Sequence, residues 1–298
     1  MEIIDAVYGK HKIKEKVLID LIKTPAVQRL KGIRQQGLPK EWHYGVEFMR
    51  YDHSIGVMVL LDRLGAPIKE QIAGLLHDIS HTAFSHVYDY YINNNNESHG
   101  DDVFEKYIKK NKEIMKILKK YKYKIKDITD FKGFTLLENN LPDLCADRID
   151  YTLRELLFFK KDKKKVTTLY KNLTVVDGEI VFKNKKSAKE FYGVYKYFAE
   201  NHWGGIKHMI NYMMFVKVLK KAIKLKLIEE DDFNKTDDYI LERIKKSNNK
   251  TIVNNIEKLK TKNIKIPKKY TGFIGKNRKI NPKYIASNKL LYLLDNKK

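Results

Sequence analysis

The spacing of apolar positions predicts a chain that is mainly α-helical. Between residues 12 and 36 apolar side chains recur every three to four positions, and Pro25 opens a second helical segment there. Residues 53–64 and 68–79 are two further amphipathic helices, divided by a Gly-Ala-Pro break. Helices are also predicted over residues 101–118, 143–160 and 187–228.

One stretch has the pattern of a β-hairpin instead. Residues 173–182 hold two short β-branched runs on either side of Asp177-Gly178, which is a turn signal. Four aspartates between 231 and 238 predict a loop or linker, and a basic, Asn-rich segment follows it. We therefore expect a large helical domain over 1–228, with the hairpin near 173–182, and a basic α(+β) subdomain or extension over 229–298.

Composition excludes several classes of protein. The chain has 298 residues, of which 43% are hydrophobic, enough to bury a sizeable core. Its apolar runs fall far short of the roughly 20 residues that span a membrane, and its start lacks the pattern of a secretory signal. The single cysteine, Cys145, excludes an intramolecular disulfide and predicts a reducing location, the cytoplasm. We expect this thiol to be buried and inert.

The net charge favours anionic partners without selecting one. Sixty Lys and Arg against 37 Asp and Glu give a formal charge of +23, which attracts nucleotides, nucleic acid or acidic surfaces. The lysines are spread over the whole chain, and no segment interleaves them with aromatic residues on one face. A compositional bias therefore explains the charge at least as well as nucleic-acid binding does.

Histidine is concentrated in one stretch of the chain. Of nine histidines, six lie between residues 43 and 99. His77-Asp78 ends an apolar helix, where a charge is costly unless it is paired or bound to a metal. Imidazole and carboxylate together suit Mn²⁺, Fe²⁺, Co²⁺, Ni²⁺, Zn²⁺ or Mg²⁺. A lone His-Asp pair is usually only hydrogen-bonded, but His53, His81 and His86 lie at compatible places.

Four strings in this order resemble the HD-domain metal-dependent phosphohydrolases. They are TPAVQRL at 24–30, RYDHSIGV at 50–57, GLLHDISHTAFSH at 74–86 and ADRIDY at 146–151. The resemblance covers roughly residues 1–160 and is greatest to the deoxynucleoside triphosphate triphosphohydrolase branch, which includes the vertebrate sterile-alpha-motif/HD-domain enzyme. It implies the helical HD fold.

The resemblance also implies roles for individual residues. It implies that one divalent ion is held by His53, His77, Asp78 and Asp147. Asp147 is chosen over Asp150 because the Asp of the family stands four residues before its Tyr, here Tyr151. Positions that match the surrounding and acid–base groups of the family are His81, His86, Asp89 and His99. Positions that match contacts to the sugar or phosphates are Gln35, Arg50, Arg148, Tyr151 and Glu155.

Some of these residues have a plain structural alternative. Asp150 would otherwise pair with Arg154 on a helix surface, four residues further on. Arg50 would otherwise pair with Asp52. His99 follows a run of asparagines typical of an exposed loop, where an isolated histidine is usually inert.

The chemistry of phosphate-ester hydrolysis agrees with these roles. A divalent ion activates water and neutralises phosphoryl charge, and histidine is the natural proton donor near neutral pH. We expect His99 or His86 to be that donor. Asp147, Tyr151 and Glu155 share one helix face, so one end can ligate the ion while the others reach a sugar. For Glu155 a polar helix flank is the alternative.

The chain departs from the family after residue 200. Where the nucleotide enzymes have a Tyr-x-His pair preceded by an Arg, a loose alignment places Trp203 and Gly205, without the Arg. The departure leaves selectivity for the base and the triphosphate open. Gly204-Gly205 either makes room for a different substrate or breaks a helix. The stretch 272–277 lacks the spacing and the Ser/Thr of a phosphate-binding P-loop.

The resemblance implies a (deoxy)nucleoside triphosphate triphosphohydrolase, which releases nucleoside and triphosphate, and it implies homo-oligomers. Within catalysis, the alternatives are stepwise or single phosphate removal and a phosphodiesterase acting on a cyclic nucleotide or signalling dinucleotide. From another class, the alternative is a nucleic-acid-binding regulatory module whose HD site is vestigial.

Overall fold

The computed structural model of the chain describes residues 1–259 and 279–294. This part is mainly α-helical, which confirms the predicted fold class. The predicted absence of a P-loop at residues 272–277 falls outside the described residues. No helix in the described ranges is long and apolar enough to cross a membrane.

The N-terminal part begins with a hairpin that the hydrophobic pattern did not reveal. Strands β1 (Glu2–Asp5) and β2 (Gly9–Lys12) pair antiparallel, and Gly9 adopts a φ of +75°. The strands are short, and Asp5 is the one fully buried residue in them, so they carry little hydrophobic signal. The helices that follow are α1 (Lys16–Ile22), α2 (Pro25–Arg29), α3 (Arg50–Arg63), α4 (Ile68–Leu76) and α5 (His86–Tyr91).

The predicted helix over 101–118 is two helices. They are α6 (His99–Lys110) and α7 (Lys112–Lys120). Asn111 has a non-helical backbone, and its side chain caps α7 by accepting a hydrogen bond of 3.0 Å from the N–H of Ile114. Three further helices follow, namely α8 (Lys126–Thr129), α9 (Ala146–Lys160) and α10 (Lys163–Lys171).

The predicted hairpin is confirmed, and it belongs to a larger sheet. Strands β3 (Leu173–Val176) and β4 (Glu179–Phe182) pair antiparallel around Asp177-Gly178. Late in the chain, β5 (Lys283–Ala286) and β6 (Lys289–Tyr292) form a second hairpin, and β5 pairs parallel with β4. The strand order is β3-β4-β5-β6.

The predicted helix over 187–228 is interrupted. Helix α11 (Lys185–Phe198) continues into a π-helical turn, Ala199–Trp203, before α12 (Ile206–Lys224) begins. A Cβ at Gly205 would lie 2.4 Å from the carbonyl oxygen of Asn201, so the backbone approaches itself too closely for a side chain. Gly204-Gly205 is therefore a helix break.

The predicted linker of aspartates is wrong. Residues Glu230–Asn234 form a 3₁₀ turn, and helix α13 (Asp237–Lys246) begins at a fully buried aspartate. Helix α14 (Lys250–Leu259) follows. The prediction of a linker failed because the sequence alone does not tell a buried aspartate that accepts backbone hydrogen bonds from one exposed to solvent. The division of the chain at residue 228 stays a prediction, although α13 and β5 both contact the part before it.

Among residues 1–259 and 279–294, two clusters of buried apolar residues form the core. The larger includes Leu61 of α3, Leu75 of α4 and Ile149 of α9, each fully buried. The smaller includes Phe84 and Phe215 and gathers around α5, α12 and the two helices after it. The histidines and aspartates of the sequence motifs lie on the elements that join these clusters.

Candidate metal centre and active site

Helices α3 and α9 lie close enough for their polar residues to meet. At Gly56 of α3, a Cβ would stand 1.8 Å from Arg154 Nη2 and 2.1 Å from Asp150 Oδ1 of α9. Only glycine admits this approach. It brings His53 on α3 next to Asp147 on α9.

The four residues predicted to bind the metal ion converge at one place. His53 Nε2 lies 2.9 Å from Asp147 Oδ1 and 3.2 Å from His77 Nε2. His77 Nε2 lies 3.7 Å from Asp147 Oδ1 and 3.6 Å from Asp78 Oδ1, and Asp78 Oδ2 lies 3.8 Å from His53 Nε2. The metal roles stay predictions, and this geometry is what they require.

The hydrogen bonds behind the two imidazoles fit a cation between them. His53 Nδ1 donates to Asp150 Oδ2 at 2.8 Å, and His77 Nδ1 donates to the carbonyl of Gly74 at 2.7 Å. Each neutral ring then has its lone pair on Nε2, and the two Nε2 atoms face each other at 3.2 Å. Two lone pairs repel at that distance unless a proton or a metal ion lies between them. The donor set is the nitrogen and oxygen mixture of a divalent transition-metal site.

The electrostatics of this cluster favour a positive charge. Burial lowers the pKa of His77, but Asp78 and Asp147 outweigh burial and raise that pKa to about 9. For Asp78 the sign is opposite: burial raises its pKa, but Arg50, His77 and His81 outweigh burial and hold it well below its usual range. The carboxylates therefore stay ionised at neutral pH and attract a cation.

Asp150 lies behind His53 and away from the cluster of four. Its Oδ2 accepts hydrogen bonds from His53 Nδ1 and from Arg154 Nε, the latter at 2.7 Å. Arg154 in turn pairs with Asp5 Oδ2 at 2.6 Å, and all three are buried. The predicted pairing of Asp150 with Arg154 is present, but it lies in the interior and not on a helix surface. This chain of contacts fixes the ring of His53.

Arg50 pairs with Asp78, not with Asp52. Its Nη1 lies 2.6 Å from Asp78 Oδ2, and its Nε donates to Ser85 Oγ at 2.8 Å. Asp52 instead accepts the backbone N–H of Met49. Arg50 Nη2 also donates to the Gln35 carbonyl at 3.4 Å, and Gln35 Oε1 is buried without a hydrogen-bond partner among the described residues.

The predicted acid–base histidines separate into two groups. His81 Nε2 lies 3.3 Å from Asp78 Oδ1, and burial, with Arg50, lowers the pKa of His81 to about 4. His86 Nδ1 lies 3.1 Å from Asp89 Oδ2, and both His81 and His86 line a cavity. His99 begins α6 and does not line it. Its ring stands against Tyr88, and its backbone N–H donates to Asp89 at 2.9 Å.

Arg148 and Tyr151 line another part of the same cavity. Arg148 Nη2 pairs with Glu138 Oε1 at 2.6 Å, and Nη1 lies 3.1 Å from Cys145 Sγ. Cys145 is free and buried, as the sequence predicts, and burial raises the pKa of its thiol well above the usual range. The rings of Tyr151 and Trp203 meet edge to face at 4.9 Å.

Glu155 does not line the cavity and is fully buried. Its Oε1 lies 2.7 Å from His202 Nδ1 and 3.3 Å from His43 Nε2. His43 Nδ1 lies 3.0 Å from Nδ1 of His208, a cavity residue. The alternative of an exposed polar flank is therefore wrong. Sequence reasoning missed this histidine cluster because its members are far apart in the chain.

The turn before α5 has an unusual backbone. Phe84 and Ser85 have φ values of 64° and 47°, and both are buried. Gly37 packs against this turn, where a Cβ would stand 2.2 Å from the carbonyl oxygen of Phe84. Asp237 Oδ1 accepts the N–H of Phe84 at 2.7 Å. The turn positions Ser85 against Arg50 and sets the start of the helix that carries His86.

The cavity has a volume of about 980 Å³, the size of a small-molecule site. The predicted residues that line it are Gln35, Arg50, His77, Asp78, His81, His86, Asp147, Arg148 and Tyr151. Asp101, Lys132 and Glu138 line it as well, and sequence reasoning gave none of them a role. Trp203, which the loose alignment placed at the position of the Tyr in the family, also lines it. Asp101 follows the predicted site residue His99 by two positions, and this proximity was the one sequence feature that could have indicated it.

The fold and the four convergent side chains are those of an HD-type phosphohydrolase, and comparisons with known proteins agree. A family model described as "HD domain" matches residues 50–155. The metal-dependent phosphohydrolase cns2 of Cordyceps militaris is 30% identical over 233 residues, which cover 76% of this chain and 67% of that protein. The chain belongs to the HD-domain metal-dependent phosphohydrolases.

Two further relatives differ in how much of the chain they match. The uncharacterized protein YdhJ of Bacillus subtilis is 38% identical over 259 residues, covering 85% of this chain and 78% of that protein. The deoxynucleoside triphosphate triphosphohydrolase SAMHD1 of Bos taurus is 35% identical over only 100 residues, covering 28% of this chain and 17% of that enzyme. The likeness to this enzyme is therefore local.

Proposed function

We propose that the chain hydrolyses a phosphate ester of a nucleotide, with a (deoxy)nucleoside triphosphate as the first candidate substrate. The observation that carries the proposal is the convergence of His53, His77, Asp78 and Asp147 at a wall of the cavity. The 100-residue similarity to a deoxynucleoside triphosphate triphosphohydrolase supports the substrate class.

The four residues would hold one divalent ion, through imidazole nitrogens and carboxylate oxygens. A metal ion bound there would lower the pKa of a bound water and neutralise charge on a phosphoryl oxygen. Asp150 accepts the Nδ1 proton of His53, which would leave the Nε2 lone pair to bind the ion. Arg50 holds Asp78 in place through their 2.6 Å contact.

His86 is the proton donor in this proposal. It lines the cavity, and its Nδ1 is held by Asp89 at 3.1 Å, which leaves Nε2 to protonate a leaving oxygen. Asp89 is buried, and although burial raises its pKa, the contact with His86 outweighs burial and lowers it. The carboxylate therefore stays ionised and holds the His86 ring in place. His99 lacks such a position because its ring packs on Tyr88.

Hydrolysis of a monophosphate ester is the second candidate, and the pairing of the arginines favours it. A triphosphate brings several negative charges, yet Arg50 is paired with Asp78 and Arg148 with Glu138. Lys132 is the other Lys or Arg among the described residues that line the cavity. A substrate with a single phosphate requires fewer positive charges.

Product analysis separates these candidates. Chelator-stripped protein is given Mn²⁺, Mg²⁺, Co²⁺ or Ni²⁺ and a panel of ribo- and deoxyribonucleoside mono- and triphosphates, cyclic nucleotides and cyclic dinucleotides. Release of triphosphate supports the first candidate, and release of orthophosphate from monophosphates supports the second. His77→Ala should abolish turnover, while His11→Ala, which removes a histidine outside the cavity, should not. No hydrolysis of any nucleotide with any metal would refute the proposal.

Binding to nucleic acid, assembly and location stay predictions. Phosphate-backbone binding driven by the +23 charge would weaken linearly on a log–log plot against salt and would not change in Asp78→Ala. An enzyme of the proposed kind loses turnover in that variant. Homo-oligomers and a cytoplasmic location are tested by light scattering and by cell fractionation.

A further inference from the structure

A buried cluster of three histidines around Glu155 lies next to the cavity, and its member at the cavity wall is His208. Glu155, His43, His202 and His208 are each at most 2% exposed. Of these four, only His208 lines the cavity. Within the part of the chain that the structure describes, no hydrogen bond uses His208 Nε2. This atom is therefore available to a bound molecule.

The direction of each hydrogen bond in the cluster follows from Glu155. A carboxylate accepts hydrogen bonds and does not donate them, so His43 Nε2 and His202 Nδ1 both carry protons toward Oε1. If His43 is neutral, its Nδ1 has a lone pair, and the contact at 3.0 Å requires a proton on His208 Nδ1. A neutral His208 then has its lone pair on Nε2.

The charges of the cluster agree with a neutral His43 and a neutral His208. Burial raises the pKa of Glu155, but hydrogen bonds from His202 and His43 outweigh burial and lower it to about 2, so Glu155 is ionised at pH 7. One imidazolium balances one carboxylate, and the nearer partner is His202, at 2.7 Å against 3.3 Å for His43. Burial is the largest cause that lowers the pKa of His208 well below its usual range.

The ring of His208 is also held in place. It packs on Tyr212, with ring centroids 4.2 Å apart, and the hydroxyl of Tyr212 donates to the Gln36 carbonyl at 2.7 Å. Gln36 Nε2 lies 3.5 Å from Glu155 Oε2, which closes the cluster on its other side. A fixed ring with a fixed proton gives a hydrogen-bond acceptor of defined direction.

We propose that His208 determines specificity by accepting, through Nε2, a hydrogen bond from a hydroxyl or amino group of the bound nucleotide. The inference rests on the proposed function and deepens it. The resemblance implied that Glu155 contacts the sugar or phosphates. In this inference Glu155 instead positions His208 through His43, and His208 contacts the substrate. The donor comes either from the sugar hydroxyls or from an exocyclic amine of the base.

A neutral hydrogen-bond acceptor at this place favours nucleotides that offer a donor and disfavours those that lack one. A nucleotide that lacks the donor leaves a buried lone pair unsatisfied, which weakens binding about 10- to 100-fold. The same nucleotide should bind equally well to a variant that has no acceptor there. Specificity for the donor is therefore a property that a substitution of His208 removes.

The test compares substrates and variants together. The parent nucleotide is the one that the product panel selects or, if none is hydrolysed, the one that binds most tightly with Mn²⁺ present. Its analogues lack the 2′-hydroxyl, the 3′-hydroxyl or the exocyclic amine, one at a time. Wild type, His208→Phe, His208→Gln and the control His11→Phe are each assayed for kcat/KM, and the Kd of each analogue is measured by calorimetry with Mn²⁺ present. His208→Gln keeps an acceptor oxygen near the Nε2 position.

The expected result is that one analogue loses about 10- to 100-fold in kcat/KM with wild type and with His11→Phe but no more than about twofold with His208→Phe. His208→Gln should restore part of the discrimination. The analogue that shows the effect tells whether sugar or base is recognised. Glu155→Gln should reduce discrimination too, and adding it to His208→Phe should change discrimination no further.

The result that overturns the inference is discrimination that His208→Phe leaves intact, or no discrimination by wild type against any of the analogues. If the nucleotide is still hydrolysed when either of these results is obtained, the inference about His208 is refuted but the proposed function is not. The converse outcome, in which Kd shows the His208-dependent discrimination but nothing is hydrolysed, would refute the proposed function alone.

Discussion

The carboxylate of Asp237 holds the backbone of Phe84, a residue more than 150 positions earlier, with a hydrogen bond of 2.7 Å. The second oxygen of Asp237 accepts the N–H of Arg34 at 2.9 Å. Phe84 has a φ of 64°, a conformation that a bulky residue keeps only when its surroundings enforce it. Part of the chain far beyond the HD motifs thus shapes the turn in front of His86.

Replacing Asp237 by alanine should weaken both stability and turnover. The buried N–H of Phe84 and the part-buried N–H of Arg34 lose their acceptor, which costs about 2–4 kcal/mol of unfolding free energy. The relaxed turn should also lower kcat in the folded variant, because His86 follows it. Asp238→Ala is the matched control: Asp238 is exposed and contacts Arg34 at 3.0 Å from outside. Urea unfolding and steady-state kinetics measure both effects, and equal losses in the two variants would contradict this role.

Asp237 should also give the protein a pH-dependent loss of stability. Burial outweighs the hydrogen bonds from Phe84 and Arg34 and raises the pKa of Asp237 to about 6 from 3.8. Because the folded state holds this proton more tightly, its contribution to stability is present below pH 3.8 and is lost as pH rises through 6. We expect wild type to lose about 3 kcal/mol relative to Asp237→Asn between pH 3.8 and pH 7. Parallel unfolding curves over that range would disprove the shift.

Asp147 and Asp150 should differ in what their loss does to the bound metal. Asp147→Asn removes a proposed ligand, so the dialysed protein should lose its ion. Asp150→Asn keeps an acceptor for His53 Nδ1 but weakens the pair with Arg154. It should lower metal affinity about 10- to 100-fold and destabilise the fold. Metal analysis and thermal unfolding separate the two outcomes, and the reverse pattern would make Asp150 the ligand. Asp102→Asn, on the exposed side of α6, is the control.

The metal content should be one ion per chain. Glu155, His43 and His202 bring ligand atoms within 4.8 Å of one another, as do His53, His77 and Asp147. The contacts of Glu155 are explained by hydrogen bonds, so we expect metal only at the second set. Chelation should then remove one equivalent and all turnover. Two equivalents, one of them surviving in His77→Ala and lost in His202→Ala, would contradict the hydrogen-bonded interpretation.

Glu155 should stabilise the protein at neutral pH and lose this effect in acid. Its pKa in the fold is about 2 against an ordinary value of 4.5. Because the folded pKa is the lower, the stabilisation is present above pH 4.5 and is lost as pH falls toward 2. Between pH 5 and pH 3 we expect wild type to lose about 2 kcal/mol more than Glu155→Gln. The exposed Glu200→Gln should follow wild type, and a Glu155→Gln curve that also follows wild type would refute the shift.

The helices were predictable from sequence because burial on one face imposes a period. Helices α3, α4 and α9 were expected near their observed bounds, since each places an apolar stripe against the core. The hairpin β1/β2 was not expected, because its short strands have no such period. Nor was the break at Asn111, where a side-chain cap overrides helical periodicity.

The same contrast applies to the site. Residues inside a contiguous string, such as His77-Asp78, were recognisable, and the structure brings them beside His53 and Asp147. Contacts between single residues that lie far apart in the chain were not predictable. No spacing in the sequence predicts that Glu155 meets a histidine more than 40 positions away, because only the packing of α9 against the π-helical turn produces that pair.

The parallel pairing of β5 with β4 places residues 280–294 beside the loop that leads into α9. The N–H of Asn281 donates to the carbonyl of Pro142 at 2.8 Å, and Lys283 lies 3.3 Å from Asp143. An expression fragment cut to residues 50–155, the range of the HD-domain match, would retain all four proposed ligands but would lose these contacts. Whoever shortens the protein for crystallisation should therefore expect an insoluble or inactive product, and should cut loops instead of the tail.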